Sequence, residues 1–181
     1  CCKGKGGSMH LIDKSVGFEG STAIVGNTIP IGVGIGLSLK LDLKDAISVI
    51  FCGDGSIEEG VFYESINFAV TKKLPVLFVC ENNSYSVYSP LKVRQPKGRK
   101  IHEMVAAMGI ETRYEDGNDV RKVNQLASHA INSIKNDENL DGSKDKNATS
   151  VLLQYRELNP MKTMLESKYS TIFFPWSSLL Q

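Results

Sequence analysis

Apolar and polar positions along the chain fall into blocks that predict strands and helices in alternation. Two apolar runs, residues 46–52 (AISVIFC) and 75–80 (PVLFVC), have the length and continuity of strands buried on both faces. A further short run at residues 151–155 predicts a last strand. Residues 58–72 carry apolar side chains at helical spacing, which predicts a helix between the first two strands. Further helices are predicted at residues 23–40, 100–108 and 120–135.

This alternation predicts an α/β fold, in which right-handed crossovers build a parallel sheet with helices on both faces. Residues 1–21 are glycine-rich and predicted to be a loop, and residues 136–149 are predicted to be a polar, mobile loop. The last stretch, residues 161–181, is apolar in places but follows neither period, so we assign no element to it.

Length and composition indicate one ordinary domain with a substantial core, since the chain has 181 residues, 41% hydrophobic and 23% charged. The formal net charge of +1 gives no reason to expect nucleic acid or an anionic membrane as partner. We expect neither a signal peptide nor a membrane span, because the first ten residues are polar and the longest apolar stretch is interrupted by glycines. A cytoplasmic protein is expected. The start at Cys1 predicts a piece of something longer.

The four cysteines predict reduced thiols rather than a disulfide framework. Cys1 and Cys2 are adjacent, while Cys52 and Cys80 lie in the predicted buried strands and are interpreted as core residues. No CxxC pair is present in the sequence, so a zinc knuckle is not indicated.

Polar residues follow both predicted central strands at their carboxyl ends, in the stretch GDGSIEEGVFYESINFAVTKKLPVLFVCENN of residues 53–83. If the strands are parallel neighbours, Asp54 and Asn83 emerge at the same edge of the sheet, where ligands bind in open α/β folds. A carboxylate and an amide oxygen are hard donors that magnesium prefers. Gly53 and Gly55 leave room for a phosphate, and the helix starting near Ser56 points its N–H groups at it.

The pattern therefore predicts a magnesium-bound diphosphate. The alternative is that Asp54 is a turn residue, since Asp-Gly is a common turn dipeptide. The paired asparagines at a fitting distance along the chain argue against that alternative.

The GDG, 26 residues, NN pattern resembles the thiamin diphosphate-binding motif. Its flanks (GVFYESINFAVTKKLPVLFVCENNSYSVYSP), the upstream GKGGSMH and the stretch AIVGNTIPIGVGIGL resemble the alpha subunit of the first component of 2-oxo acid dehydrogenase complexes, of the pyruvate and acetoin dehydrogenase type. The resemblance covers residues 4–156. It implies a parallel-sheet thiamin diphosphate-binding domain over residues 4–156, incomplete at its N-terminus, with a tail of uncertain structure at residues 157–181.

The resemblance also implies how magnesium and the diphosphate are held. Asp54 and the side chain of Asn83 would ligate magnesium, with the backbone carbonyl of Tyr85 as a third ligand. Gly55 and Ser56 would contact the diphosphate through their backbone.

A second segment would hold the other end of the cofactor. Ala23 and Val25 would meet the aminopyrimidine through main-chain groups. An aliphatic side chain there, Ile24 or Val25, would keep thiamin diphosphate bent. No catalytic residue of this chain is implied.

The implied activity is thiamin diphosphate- and magnesium-dependent oxidative decarboxylation of a 2-oxo acid, with transfer of the acyl group to a lipoyl-bearing acyltransferase. GGSMH favours pyruvate-like or acetoin-like substrates over branched-chain ones. The resemblance implies a heterotetramer in which a beta subunit brings the glutamate that activates the cofactor. Glu58, Glu59 and Glu64 of this chain fall in the helix after GDG and are not placed for that role. We therefore expect the chain alone to be inactive. In a eukaryote its location would be the mitochondrial matrix or a plastid.

Two other functions stay open: a catalytically incompetent remnant that serves as an assembly module, and a transketolase-like carbon–carbon ligase subunit. The remnant hypothesis rests on two departures from the family. Family members are about twice as long, and their earlier portion binds the diphosphate with an aromatic–basic pair. Residues 152–163 (LLQYRELNPMKT) also lack the histidine that the family usually has after the last strand, so we transfer no role from Asn159 onward.

Several other residues have competing interpretations. His10 is either close to the active site or solvated in a loop, whereas His102 and His129 are predicted to be surface or capping residues in helices. Gly32, Gly34 and Gly36 do not match GxGxxG, because Leu37 takes the third glycine position, and close helix packing explains them better. The basic run of residues 91–100 is interpreted as a mobile loop near the cofactor's phosphates rather than a nucleic-acid site.

Overall fold

The computed structural model describes residues 9–137, 150–156 and 173–175. The strands are β1 (Ser48–Gly53), β2 (Val76–Asn82), β3 (Tyr85–Ser86), β4 (Ser89–Pro90), β5 (Glu111–Asp116), β6 (Ser150–Arg156) and β7 (Phe173–Pro175). The α-helices are α1 (Thr28–Leu41), α2 (Gly60–Thr71), α3 (Leu91–Arg94), α4 (Ile101–Ala106) and α5 (Val120–Asp137). Two 3-10 helices span Lys14–Val16 and Asp54–Glu58. Cys1, Cys2, most of GKGGSMH, the predicted loop after residue 137 and most of the tail lie outside the described residues.

Five strands form one sheet in the order β5-β6-β2-β1-β7. β5, β6, β2 and β1 are parallel, and β7 is antiparallel to β1. The register of β1 and β2 pairs Cys52 with Cys80 and Gly53 with Glu81. The predicted parallel α/β sheet is confirmed. The segments that follow β1 and β2 both leave the sheet at the carboxyl ends of these parallel strands.

Helices cover both faces of the sheet, as predicted. Alternate strand residues point to opposite faces. Ile50 and Phe78 belong to a core cluster with α1, α2 and α4, whereas Val49 and Leu77 belong to a second cluster with α5. Because β1 and β2 are covered on both sides, they carry nearly continuous apolar residues, and this is why the sequence identified them.

The spacing of its apolar residues explains why the segment of α2 forms a helix. Phe62, Ile66 and Ala69 recur every three to four positions and are fully buried, and burying a large apolar side chain contributes about 1.5–3 kcal/mol. The helix ends where Lys73 takes a φ of +49°. The Lys40 Nζ donates to the carbonyls of Lys72 and Lys73 at 2.7 and 3.1 Å, which satisfies acceptors at this C-terminus.

Helix α1 begins at Thr28, five residues later than predicted. Gly26 has a φ of +77°, so the preceding residues form a turn instead of a helical segment. Close packing is confirmed for Gly36, where an added Cβ would lie 2.5 Å from the Val76 Cγ2. It is wrong for Gly34, because a Cβ there meets no atom of the described residues within 4 Å.

The sequence analysis missed β5, β7 and the β3–β4 pair. Strand β5 lies at an edge of the sheet and is polar, with every described residue at least partly exposed, so it lacks an apolar run. Strand β7 comes from the unassigned tail and adds the opposite edge.

Cys52 and Cys80 are buried free thiols, as predicted. None of the helices in the described part of the chain combines the length and apolarity needed to cross a bilayer.

Candidate functional site

Asp54 lies at the carboxyl end of β1, as the sequence predicted, and begins the 3-10 helix of Asp54–Glu58. Its side chain is 1% exposed, although carboxylates are rarely buried without compensation. Across the register of β1 and β2, the asparagine pair leaves the sheet at the same edge. The carboxyl group is therefore held inside the protein at the edge where α/β folds bind ligands.

The two oxygens of Asp54 have different surroundings. Oδ2 accepts a hydrogen bond from the Arg94 Nη2. Oδ1 is buried and has no hydrogen-bond partner within the part of the chain that the structure describes. A buried carboxylate oxygen without a donor is costly, so Oδ1 is the oxygen of Asp54 that could accept a cation or a donor.

Arg94 reaches this site from the end of α3 and uses all three of its guanidinium nitrogens. Besides Asp54, its Nη1 donates to Glu58 Oε1 at 2.6 Å, and its Nε donates to the Ser89 carbonyl at 3.1 Å. Glu58 Oε1 also accepts from the Gln95 Nε2 at 2.9 Å. The result is one cation between two carboxylates, with 11% of its side chain exposed.

Burial raises the pKa of the Asp54 carboxyl above its usual value, although the hydrogen bond and charge of Arg94 act in the opposite direction. Burial lowers the pKa of the Arg94 guanidinium, but its hydrogen bonds to Asp54 and Glu58 outweigh this and leave it raised. Arg94 thus counteracts the effect of burial on the Asp54 carboxyl.

The paired asparagines shape the loop that follows β2. Asn82 Oδ1 accepts from the Ser84 backbone N–H at 3.1 Å, and Asn83 Oδ1 accepts from the Tyr85 N–H at 2.9 Å. Such turns are typical of asparagine and suit the φ of +68° at Ser84. The amide oxygen of Asn83 has two lone pairs, so its bond to Tyr85 is compatible with metal ligation.

The β3–β4 hairpin packs on the 3-10 helix that carries Asp54. A Cβ added at Gly55 would overlap the Ser86 side chain, so close approach of the hairpin explains this glycine. A Cβ at Gly53 would meet nothing within 4 Å in the described chain, which fits the predicted open space beside the backbone. Ser56 is buried in the same 3-10 helix.

The segment with Ala23 and Val25 forms the turn before α1 and lies beside the same 3-10 helix. A Cβ at Gly26 would be 3.1 Å from the Glu59 Cγ, which shows how closely this turn approaches the start of α2. Ile24 is 64% and Val25 is 51% exposed. These apolar side chains lie uncovered by the described residues, at a place where the sequence predicted contact with a cofactor.

The histidines and the basic run lie as follows. His10 is exposed, with a φ of +59°. His102 is partly buried in α4 and stacks on Tyr114 with ring centroids 5.0 Å apart, whereas His129 is exposed on α5 as predicted. Within the basic run, Arg94 contributes directly to the site, which the sequence analysis missed. The only feature of the sequence that could have indicated this role is the position of Arg94 in the basic run soon after the asparagine pair.

The predicted ligands are oxygen donors of the kind that a hard divalent cation prefers. The predicted set contains one carboxylate, one amide oxygen and one backbone carbonyl, and the orphaned Oδ1 provides an open lone pair. Among the described residues no group of three or more His, Cys, Asp or Glu could hold a metal. A transition-metal site of that composition is therefore not found in those residues.

Comparisons with known proteins show which family the chain resembles. Residues 2–139 match the family described as dehydrogenase E1 component. The alpha subunit of the pyruvate dehydrogenase E1 component from Rickettsia felis is 30% identical over 190 residues, covering 94% of this chain and 58% of its own. The alpha subunit of acetoin:2,6-dichlorophenolindophenol oxidoreductase from Bacillus subtilis is 38% identical, and the match covers 75% of this chain and 40% of the relative.

Solved structures share the fold. A Mycobacterium smegmatis protein described as a thiamin diphosphate-dependent enzyme superposes with a TM-score of 0.52 at 23% identity, covering 75% of this chain and 23% of its own. Transketolase from Campylobacter jejuni superposes with a TM-score of 0.53 at 19% identity, and the match covers 75% of this chain and 20% of transketolase. The predicted fold class is confirmed.

The chain spans between 40% and 58% of the length of the two curated relatives described above. Its resemblance to alpha subunits of pyruvate and acetoin dehydrogenases, first inferred from short motifs, is confirmed over a match of residues 2–139. The chain belongs to the dehydrogenase E1 component family.

Proposed function

We propose that this chain is the cofactor-binding part of an alpha-type subunit that carries out magnesium- and thiamin diphosphate-dependent oxidative decarboxylation of a 2-oxo acid. The observation that carries the proposal is that Asp54 is buried at the carboxyl end of β1 and that one of its carboxylate oxygens lacks a donor in the described chain. An aspartate that serves only a turn gains nothing from a buried oxygen without a donor, whereas a metal ligand would use that oxygen to bind the cation.

Asp54, the Asn83 side chain and the Tyr85 carbonyl would hold magnesium. Gly55 and Ser56 would meet the diphosphate through their backbone, while Ala23 and Val25 would contact the aminopyrimidine. When bound, thiamin diphosphate would supply an electron sink for the loss of carbon dioxide from the substrate.

The residues of this chain would bind and orient the cofactor. The hydrogen bond from the Tyr85 N–H orients the Asn83 amide, and burial fixes Asp54. Exposed Ile24 and Val25 would cover the cofactor with apolar surface and exclude water from it.

A beta subunit is the proposed partner, and a lipoyl-bearing acyltransferase the proposed acceptor of the product. Large apolar side chains are exposed in the first part of the described chain, which supports a partner that covers them. They are Met9, Ile12, Val16, Ile24, Val25 and Ile31. The relatives are named as alpha subunits, which supports a second type of subunit.

A pyruvate-like substrate is proposed, because the matched relatives are named for pyruvate and acetoin. The proposed location is the cytoplasm, or the mitochondrial matrix or a plastid in a eukaryote. Named relatives include a chloroplastic protein of Arabidopsis thaliana and a mitochondrial protein of Sminthopsis macroura.

Isothermal titration of the full chain with thiamin diphosphate in excess magnesium tests this function, with and without a beta subunit from a related complex. We expect saturable binding that is lost in Asp54→Asn, which preserves shape but removes the charge. Asp42→Asn is the matched control, because Asp42 is an exposed residue that follows α1. Binding that Asp54→Asn leaves intact, or no binding under either condition, would contradict the proposal and favour a cofactor-free assembly module.

A further inference from the structure

The contacts of Arg94 suggest a role that the proposed cofactor site does not itself require. Its guanidinium bridges Asp54 and Glu58, and its third nitrogen is held by the Ser89 carbonyl. The side chain is 11% exposed, so this cation is mostly removed from water. Arg94 therefore occupies the position of a counter-ion next to a carboxylate proposed as a metal ligand.

A divalent cation and Arg94 cannot share Asp54 without cost. Both would lie within a few ångströms of one carboxylate, and like charges at such separations repel strongly where water is excluded. Binding of a metal must overcome this repulsion or release the Arg94–Asp54 hydrogen bond. In either case Arg94 lowers the affinity of the site for the metal.

Glu58 provides a second position for the arginine. It accepts from both Arg94 and Gln95, it is 30% exposed, and it lies at the other end of the same 3-10 helix. If Arg94 releases Asp54, its Nη1 can keep the bond to Glu58. The exchange therefore needs a short movement of one guanidinium group and leaves α3 attached.

We propose that Arg94 is a positioning residue that serves as the internal counter-ion of Asp54 and competes with the divalent cation for that carboxylate. This inference rests on the proposed function, because it takes Asp54 to be a metal ligand. In the metal-free protein Arg94 keeps the buried carboxylate compensated and oriented. When the metal arrives, Arg94 leaves Asp54 and remains on Glu58.

The affinity for Mn²⁺ tests the competition, measured on the full chain from the paramagnetic resonance signal of the free ion. We expect Arg94→Met to bind Mn²⁺ about tenfold to a hundredfold more tightly than the wild type, since a competing charge-assisted hydrogen bond is removed. Arg94→Lys, which keeps the charge without the planar fork, should fall between them. Lys92→Met is the control, because Lys92 is an exposed cation on the same short helix.

A measurement on the wild type avoids any folding defect of the variants. With 15N-labelled arginine, the Nε–H resonance of Arg94, identified by its loss in Arg94→Lys, should shift in step with added Mg²⁺ as the contact with Asp54 breaks. An unchanged resonance during binding overturns the exchange.

The outcomes separate this inference from the proposed function. One outcome is that the wild type binds Mn²⁺, Asp54→Asn does not, and Arg94→Met binds no more tightly than the wild type. In that case the proposed competition is wrong, but the proposed metal site is supported. If Lys92→Met gains as much affinity as Arg94→Met, a general charge effect replaces the competition. If neither the wild type nor Arg94→Met binds Mn²⁺, the metal site fails and this inference fails with it.

Discussion

At the scale of single residues, the backbone near the candidate site takes conformations that most side chains avoid. Ser84 and Val87, both in the segment after β2, have φ values of +68° and +54°. Val87 is the first of the two residues that connect β3 and β4, where hairpins require positive φ. A β-branched residue there is strained, because its Cβ crowds the backbone.

Val87→Gly should raise the free energy of unfolding by about 0.5–1 kcal/mol, since relief of strain exceeds the added chain entropy. Val93→Gly is the matched control, because Val93 is an exposed valine within α3. It should instead lose about 0.5–1 kcal/mol of stability. Urea denaturation in the absence of metal measures both changes. Equal losses in the two variants would show that Val87 is not strained.

At the scale of elements, helix α1 is positioned by the absence of a side chain. Gly36 lies directly over Val76 of β2, so α1 approaches the sheet more closely than any larger residue allows. Gly34 is on the exposed side of the same helix and has no such contact with the described residues. The two glycines look alike in the sequence but differ in what they do for the fold.

Gly36→Ala should lower the free energy of unfolding by about 1–3 kcal/mol, because the new methyl group overlaps Val76 and forces α1 outward. Gly34→Ala should raise it by about 0.5–1 kcal/mol, because alanine favours the helix and meets no neighbour in the described chain. Thermal and urea unfolding of the two variants measure this difference in sign. A stabilised Gly36→Ala would contradict the close packing.

The elements also explain which parts of the fold were predictable. Strands β1 and β2 and helix α2 are buried and have strong apolar patterns, so the sequence identified them to within a few residues. Strand β5 was missed, because an edge strand has one exposed side and needs no apolar run. The start of α1 was misplaced, because a φ of +77° at Gly26 is not visible in hydrophobic spacing.

At the scale of the whole molecule, the central strands are covered by two different helix layers. Helix α5 contributes Ala130, Ile131 and Ile134 to the second face, opposite α1 and α2. Since β1 and β2 also position the candidate site, both layers support its geometry. We therefore expect the sheet and both layers to unfold together.

Ile134→Ala should lower the free energy of unfolding by about 2–4 kcal/mol, because Ile134 is fully buried against the second face. Val120→Ala in the same helix should change it by less than about 0.5 kcal/mol, because Val120 is exposed. Hydrogen exchange should show faster exchange in β1 and β2 of Ile134→Ala, which would establish coupling across the sheet. Accelerated exchange confined to α5 would contradict it.

The sequence by itself determined the parallel α/β fold, the burial of β1 and β2, and the placing of Asp54 and the asparagine pair at one edge of the sheet. These follow from local apolar spacing and from the fact that parallel strands end at the same edge. Only the tertiary structure decided that Arg94 lies between Asp54 and Glu58, because these contacts join residues 40 and 36 positions apart and depend on how the elements between them pack. It also decided that Gly36 packs while Gly34 does not, since each depends on which neighbour the fold brings to it.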